Sequence, residues 1–262
     1  MEVSNLIEQK TCEEHGEFES NAILHPIDPN KIMMWTGCPQ CSEIRQKKEE
    51  ERKRAEDEQL KLDRINNRLK GAGIPPRFLN KRFNDYIVTT DKQAKVKSHC
   101  ERYADRFDIA LKNGVCLAMI GNSGSGKNHL AMSIANEVVR KKYTAHYVDA
   151  YMMLSDVKHA QQSSDERETQ AIKNLSLPDL LIIDEVGDQV GSDADKRLLN
   201  KIINNRYNDN KPIIILSNLN GNELKQFLGT RITTRFSENS GKILLFDWPN
   251  YRGNIKSNLW DD

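Results

Sequence analysis

Residues 121–128 read G-N-S-G-S-G-K-N, with the apolar run 115–120 before them and, over 129–141, apolar residues at helical spacing after them. Strand, glycine loop and helix in that order decide the fold class. Glycines let successive backbone N–H groups turn inward around an anion, and the start of a helix adds positive potential, so G-x-x-x-x-G-K in this setting is a phosphate-binding loop. Lys127 would reach the β and γ phosphates of a nucleotide cradled by Gly121, Asn122, Ser123, Gly124, Ser125, Gly126, Asn128 and His129. Asn128 stands where Ser or Thr would offer Mg²⁺ a hydroxyl. Its amide oxygen is also a hard ligand, which keeps Mg²⁺ binding available.

Outward from the loop, strand-like runs at 144–148, 180–183, 213–216 and 243–246 alternate with helical stretches at 150–159, 166–174 and 193–206. That alternation predicts an α/β fold, a parallel sheet flanked by helices on both faces. Upstream, 77–86 is an irregular aromatic segment and 91–112 a helix leading into the first core strand. The polar residues of interest stand just past the carboxyl ends of strands, where open α/β sheets bind ligands. In L-L-I-I-D-E (180–185), Asp184 can hold Mg²⁺ while Glu185 orients and deprotonates an attacking water. Asn218 could polarise the same water or simply shape a turn.

In G-T-R-I-T-T-R (229–235), Arg231 and Arg235 lie four apart and share a helix face. They read either as arginine fingers for a nucleotide held by a neighbouring subunit or as surface ion-pairing residues. Arg252, in D-W-P-N-Y-R, follows the last strand. Tyr147, Tyr151 and Lys158, assigned to the helix after the second strand, are candidate single-strand contacts, with core packing as the alternative for the tyrosines.

The 262 residues, 37% hydrophobic and 29% charged, allow a large globular domain and a small one. The net charge of +1 hides an acidic start, residues 1–40, and a mildly basic remainder, so a general polyanion-binding protein is not indicated. There is no signal-type apolar segment and no run of about eighteen apolar residues, which leads us to expect a cytoplasmic protein without a membrane partner. The cysteine count of five is odd, and a C-x-x-C is present instead of a dispersed disulfide framework. Cys12 and His15 stand at C-x-x-H spacing and Cys38 and Cys41 at C-x-x-C. A Cys₃His set of this kind suits tetrahedral Zn²⁺, and so short a stretch with few core residues needs such a staple. His25 could replace His15, and an unmetallated redox C-x-x-C is the other reading.

From Ser42 to Lys70 the chain turns to Glu, Lys, Arg and Gln without Pro or Gly, a self-supporting surface helix. Leu62, Ile65 and Leu69 give its end an apolar edge, suited to a partner or to the chain's own core. Residues 71–76 then mark a boundary. The expected domains are a zinc-binding module at 1–42, a charged linker or partner-binding helix at 43–70, and a nucleotide-binding domain at 71–262.

Taken together, G-K-N-H-L-A after the glycine loop, L-L-I-I-D-E, S-N after the fourth strand, L-G-x-R-x-x-x-R and D-W-x-x-Y-R resemble the AAA+ ATPases of the DnaC group, bacterial and phage loaders of the replicative helicase. The match spans roughly 71–256, and Asn128 is typical of that group. More distantly the chain resembles IstB transposition helpers. The resemblance implies an AAA+ P-loop core without a C-terminal lid. Within it Lys127 and Asn128 hold ATP and Mg²⁺, Asp184 and Glu185 form the Walker B pair, and Asn218 is sensor 1. Arg235 would be the finger with Arg231 beside it, and Arg252 would stand at the sensor 2 position. It implies an ATPase, slow alone and stimulated by partners or DNA, with a replicative helicase, single-stranded DNA and further copies of itself as partners. The zinc module before a charged helix is similar to phage and prophage forms. A transposition regulator of the IstB kind and a non-catalytic nucleotide-gated adaptor are the alternatives.

Overall fold

The structure, a computed structural model, describes residues 3–28, 30–188 and 192–251. The chain divides into two compact units, Met1–Arg64 and Ile65–Asp262. Among the described residues no helix is long and apolar enough to cross a membrane.

The smaller unit opens with three strands, β1 (Val3–Cys12), β2 (Gly16–Leu24) and β3 (Ile32–Trp35), in an antiparallel sheet with β2 at its centre. Their sequence did not announce them. The buried positions of β2 are Ser20 and Ala22, too small and polar to give the apolar alternation that marks a half-buried strand. Ser20 compensates by donating to the Thr36 carbonyl at 2.6 Å. Helix α1 (Pro39–Gly71) starts three residues before the Ser42 expected from composition, because proline is pre-set for a first helical turn and has no N–H to leave unpaired. Arg52 binds Glu49 at 2.7 Å and Glu56 at 2.6 Å on its solvated surface. The helix's last residues belong to the larger unit, where Leu69 is fully buried and Ile65 packs against that unit's own core, whereas Leu62, in the smaller unit, is 42% exposed.

The larger unit is α/β. Strands β4 (Leu117–Gly121), β5 (Ala145–Asp149), β6 (Leu180–Asp184), β7 (Ile213–Ser217) and β8 (Lys242–Phe246) form a parallel sheet in the order β5-β6-β7-β4-β8. Alternate residues feed two cores, as the two faces of a buried strand must. Leu117, Met119, Leu180, Ile182, Ile214 and Leu216 join the core that includes α2 (Asp91–Asp105), α3 (Phe107–Lys112) and α4 (Lys127–Arg140). Ala118, Ile120, Leu181, Ile183, Ile213 and Ile215 join the core with α5 (Ala150–Ser163), α6 (Asp165–Ser176), α7 (Asp193–Asn208), α8 (Gly221–Leu228) and α9 (Thr230–Arg235). The helix expected over 91–112 is two helices, broken at Arg106.

Arg206 of α7 is wholly buried. Its guanidinium donates to the carbonyls of Leu175 (2.8 Å), Pro178 (3.0 Å), Asp179 (3.3 Å) and Pro212 (2.8 Å). These are the segments entering β6 and β7, so one side chain fixes the amino ends of the strands whose carboxyl ends carry Asp184 and Asn218.

Candidate functional site

A cleft of about 560 Å³ opens over the carboxyl ends of the strands, lined by residues that include Ser123 to His129, Asp184, Glu185 and Asn218. Its floor is the glycine loop between β4 and α4. Gly126 caps α4 at φ +96, where a Cβ would stand 2.6 Å from a ring carbon of Tyr86, so only glycine fits. The loop is braced from outside. The Ser125 carbonyl accepts from Trp248 Nε1 at 2.8 Å and from Tyr86 Oη at 3.3 Å, and Ser125 Oγ donates to the Asn122 carbonyl at 2.6 Å. Lys127 is 6% exposed. Its ammonium donates to the carbonyls of Gly121 (2.6 Å) and Asn122 (2.8 Å) and to Asn218 Oδ1 (2.9 Å). It is thus held over the loop, and an anionic phosphate would outcompete these carbonyl and amide acceptors.

The acidic side of the cleft comes from parallel pairing, which sets Asp149 of β5 beside Asp184 of β6. Asp184 Oδ1 accepts from the Glu185 N–H at 2.8 Å. Its Oδ2 accepts from Tyr147 Oη at 2.7 Å and from the Asn128 amide. With the NH₂ end of Asn128 on Asp184, the amide oxygen is the atom left to serve as a hard ligand. Glu185 sits at φ +56, a left-handed conformation costly for a non-glycine residue and held here by the loop around it. Burial, then the charges of Asp184 and Asp149, push its carboxyl above the usual range, toward better proton acceptance. Asn218 Nδ2 donates to Asp188 at 2.7 Å, so its amide bridges the lysine and this acidic side. His129 makes an edge-on contact with Tyr86, its ring nitrogen 3.0 Å from the Arg82 carbonyl, and burial lowers its pKa.

Neither Arg231 nor Arg235 lines this cleft. Arg231 is exposed, while Arg235 stacks 4.0 Å over the Tyr207 ring and donates to Asn204. Arg252 lies outside the described residues. Tyr147 belongs to β5, not to the helix after it, and turns its hydroxyl into the cleft; Lys158 pairs with Asp195, and Tyr151 is exposed. Sequence reasoning missed Asp149, Tyr86 and Trp248 as cleft residues. The D-W-P-N-Y-R string was a signal for the last, but it was read only for its arginine.

In the smaller unit, Cys12 at the end of β1, His15 in the hairpin turn, Cys38, and Cys41 in the first turn of α1 bring their ligand atoms within 4.8 Å of one another. Cys12 Sγ is 3.5 Å from Cys41 Sγ and 3.6 Å from His15 Nδ1, which lies 3.8 Å from Cys38 Sγ and 3.2 Å from Cys41 Sγ. A tetrahedral Zn²⁺ with Zn–S of about 2.3 Å and Zn–N of about 2.0 Å has ligand edges of about 3.5–3.8 Å, which these distances approach. His25 is not in the cluster; its Nδ1 accepts from the Ile27 N–H at 3.3 Å. All four thiol and imidazole groups fit a metal, and the cysteines form no disulfide.

The family described as IstB-like ATP binding protein matches residues 57–236, which contain the glycine loop, Asp184, Glu185, Asn218 and the whole of α9. The chain belongs to the IstB-like ATP-binding family. This IstB-like protein is 31% identical over 200 residues to the replicative helicase loader DnaC of Escherichia coli (strain K12), across 76% of its own length and 79% of that relative. The corresponding DnaC of Buchnera aphidicola subsp. Acyrthosiphon pisum (strain APS) is 31% identical over 204 residues, 78% of this chain and 80% of the relative. The crystal structure of the DnaC helicase loader superposes with a TM-score of 0.58 at 22% identity, covering 65% of this chain and 99% of that one. At that identity the likeness is one of fold alone.

Proposed function

We propose that this IstB-like protein is an ATP-dependent loader of a replicative DNA helicase onto single-stranded DNA, acting in the cytoplasm. The observation that carries the reading is the convergence of Lys127, Asn128, Asp184, Glu185 and Asn218 in one cleft, in a chain similar to DnaC over three-quarters of its length. The glycine loop and Lys127 would take the triphosphate. Asp184 and the Asn128 amide oxygen are hard donors of the kind Mg²⁺ accepts, and the ion, when bound, would neutralise phosphate charge. Glu185, with its raised pKa, would orient and deprotonate the attacking water, and Asn218 would fix the γ-phosphate side of that water.

ATP binding then drives self-assembly and grip on single-stranded DNA, and hydrolysis drives release. Arg231 and Arg235 on α9, away from their own cleft, would serve a neighbouring copy. The Cys₃His cluster takes Zn²⁺ and folds the N-terminal module, which with the charged helix engages the helicase. The family match also favours a second reading, a regulator of DNA transposition that acts on duplex DNA with a transposase.

The test uses the full chain with a replicative helicase and single-stranded DNA. A complex that forms with ATP, and ATP turnover that is stimulated by both partners and abolished by Glu185→Gln, is expected. No complex and no turnover would overturn the loader reading. Stable duplex binding without helicase binding would favour the transposition reading, and equal turnover of wild type and Glu185→Gln would indicate a nucleotide-gated adaptor.

A further inference from the structure

Tyr147 and Asn128 both donate to Asp184 Oδ2, Tyr147 at 2.7 Å. Oδ1 of the same carboxylate is held by the Glu185 N–H. With both oxygens tied, the carboxylate plane cannot swing, and the two donors on Oδ2 differ in kind. Asn128 is on the loop that a nucleotide occupies and can exchange its amide's donor end for its acceptor end. Tyr147 is on a strand and can only stay. Its ring is partly buried against the sheet's core, and a phenol hydroxyl, unlike an amide, has no second end to turn toward the carboxylate.

The backbone of Tyr147 is fixed as well. β5 is an edge strand of the sheet, and the Tyr147 N–H donates outward to the Ala72 carbonyl at 2.7 Å. The next residue, Gly73, sits at φ +73 so close that a Cβ there would be 2.6 Å from the Tyr147 carbonyl oxygen. The segment 72–73, just past the last turn of α1, thus clamps the strand position from which the hydroxyl reaches Asp184.

We propose that Tyr147 is a positioning residue for the Mg²⁺ site. It fixes Asp184 so that the carboxylate presents one set orientation to the metal, and the 72–73 segment sets Tyr147 in turn. This rests on the reading of Asp184 as a metal ligand of an ATP site. Hydrogen-bond partners of metal-ligating carboxylates are expected to matter nearly as much as the ligands themselves.

The experiment measures binding of a non-hydrolysable ATP analogue to the full chain across a Mg²⁺ titration and again in excess chelator, for wild type, Tyr147→Phe and Asp184→Asn. In Tyr147→Phe the Mg²⁺ concentration giving half-maximal binding should rise roughly tenfold, with metal-free affinity within about twofold of wild type. A rise of less than about twofold, or tighter Mg²⁺ dependence, would overturn the positioning role. So would an equal loss of metal-free affinity, which marks general damage to the cleft. If wild type and Asp184→Asn show the same Mg²⁺ dependence, the ATP-site reading falls, and this proposal falls with it by a different arm. Wild-type dependence that Asp184→Asn abolishes and Tyr147→Phe leaves intact sinks the positioning role alone.

Discussion

In the cleft over the strand ends, Asp184 ends a strand whose five residues are all buried, while at the Cys/His cluster Cys12 ends a strand whose Leu6 and Ile7 are 56% and 57% exposed. The cleft's side chains are aimed by a sheet that would stand without them, since alternate residues of β4, β6 and β7 disappear into two separate cores. The cluster has no such backing. Its ligands come from a strand end, a hairpin turn, a loop and a helix start, and the buried positions of β2 are a serine and an alanine. One site is supported by apolar burial, and the other must supply its own support.

Metal removal should break that contrast most widely. Structural Zn²⁺ contributes about 10–16 kcal/mol of apparent binding free energy to small domains, more than a three-stranded sheet with this little core can lose. A strong chelator, or Cys38→Ser, is expected to open residues 1–38 to protease while the larger unit keeps its thermal transition. Protection that survives complete metal removal would show the module is held by something other than its cluster.

Arg206→Met attacks the other side of the comparison. Four backbone carbonyls at the entries to β6 and β7 lose the guanidinium donor, the Pro212 carbonyl keeping the Leu181 N–H at 3.3 Å, and stripping the interior of such a donor costs about 3–5 kcal/mol. The larger unit's urea midpoint should fall accordingly, with protease protection of the N-terminal module unchanged. Arg206→Lys should recover little, because an ammonium cannot span four acceptors. A loss below about 1 kcal/mol in Arg206→Met would mean that the strand entries are held by packing alone.

The same contrast explains what the sequence made legible. The glycine loop, the L-L-I-I-D-E strand end and the spacing of the four zinc-type ligands are local strings whose chemistry fixes residue types at fixed offsets, so they could be read directly. The α/β alternation could be read because fully buried strands are written in Ile and Leu. The N-terminal sheet could not, because its inward positions are Ser20 and Ala22 and its outward ones Glu17 and Glu19. Nor could the partners of Asp184. That Tyr147 and Asp149 stand beside it depends on the register of β5 against β6, which no local pattern specifies, and Tyr147 could only be weighed between stacking and packing. Likewise the spacing of Arg231 and Arg235 predicted a shared face, but the packing of Tyr207 and Asn204 separates an exposed arginine from a partly buried, engaged one.

The smallest expected effect is a slope with pH confined to the larger unit. His99, His129 and His146 all have pKa values lowered mainly by burial, with Lys242, Arg102 and Lys95 adding to the effect at His99, Lys81 and Lys97 at His129, and Arg206 at His146. The unfolded chain, with histidine near 6.5, therefore binds protons that the folded chain refuses, and stability falls as pH drops below about 6.5. Asp179 and Asp195 have lowered pKa values instead, so their contribution is intact through this range and is lost only as pH falls below the ordinary carboxylate value. Urea midpoints of the larger unit should accordingly decline between about pH 7 and pH 5, with a slope of at most about three protons. His129→Gln combined with His146→Gln should reduce that decline to the part left to His99, without changing the steeper loss at more acid pH. An undiminished slope in the double variant would assign the mild-acid loss to other groups, and would remove these two histidines from the account of how the cleft's support differs from that of the cluster.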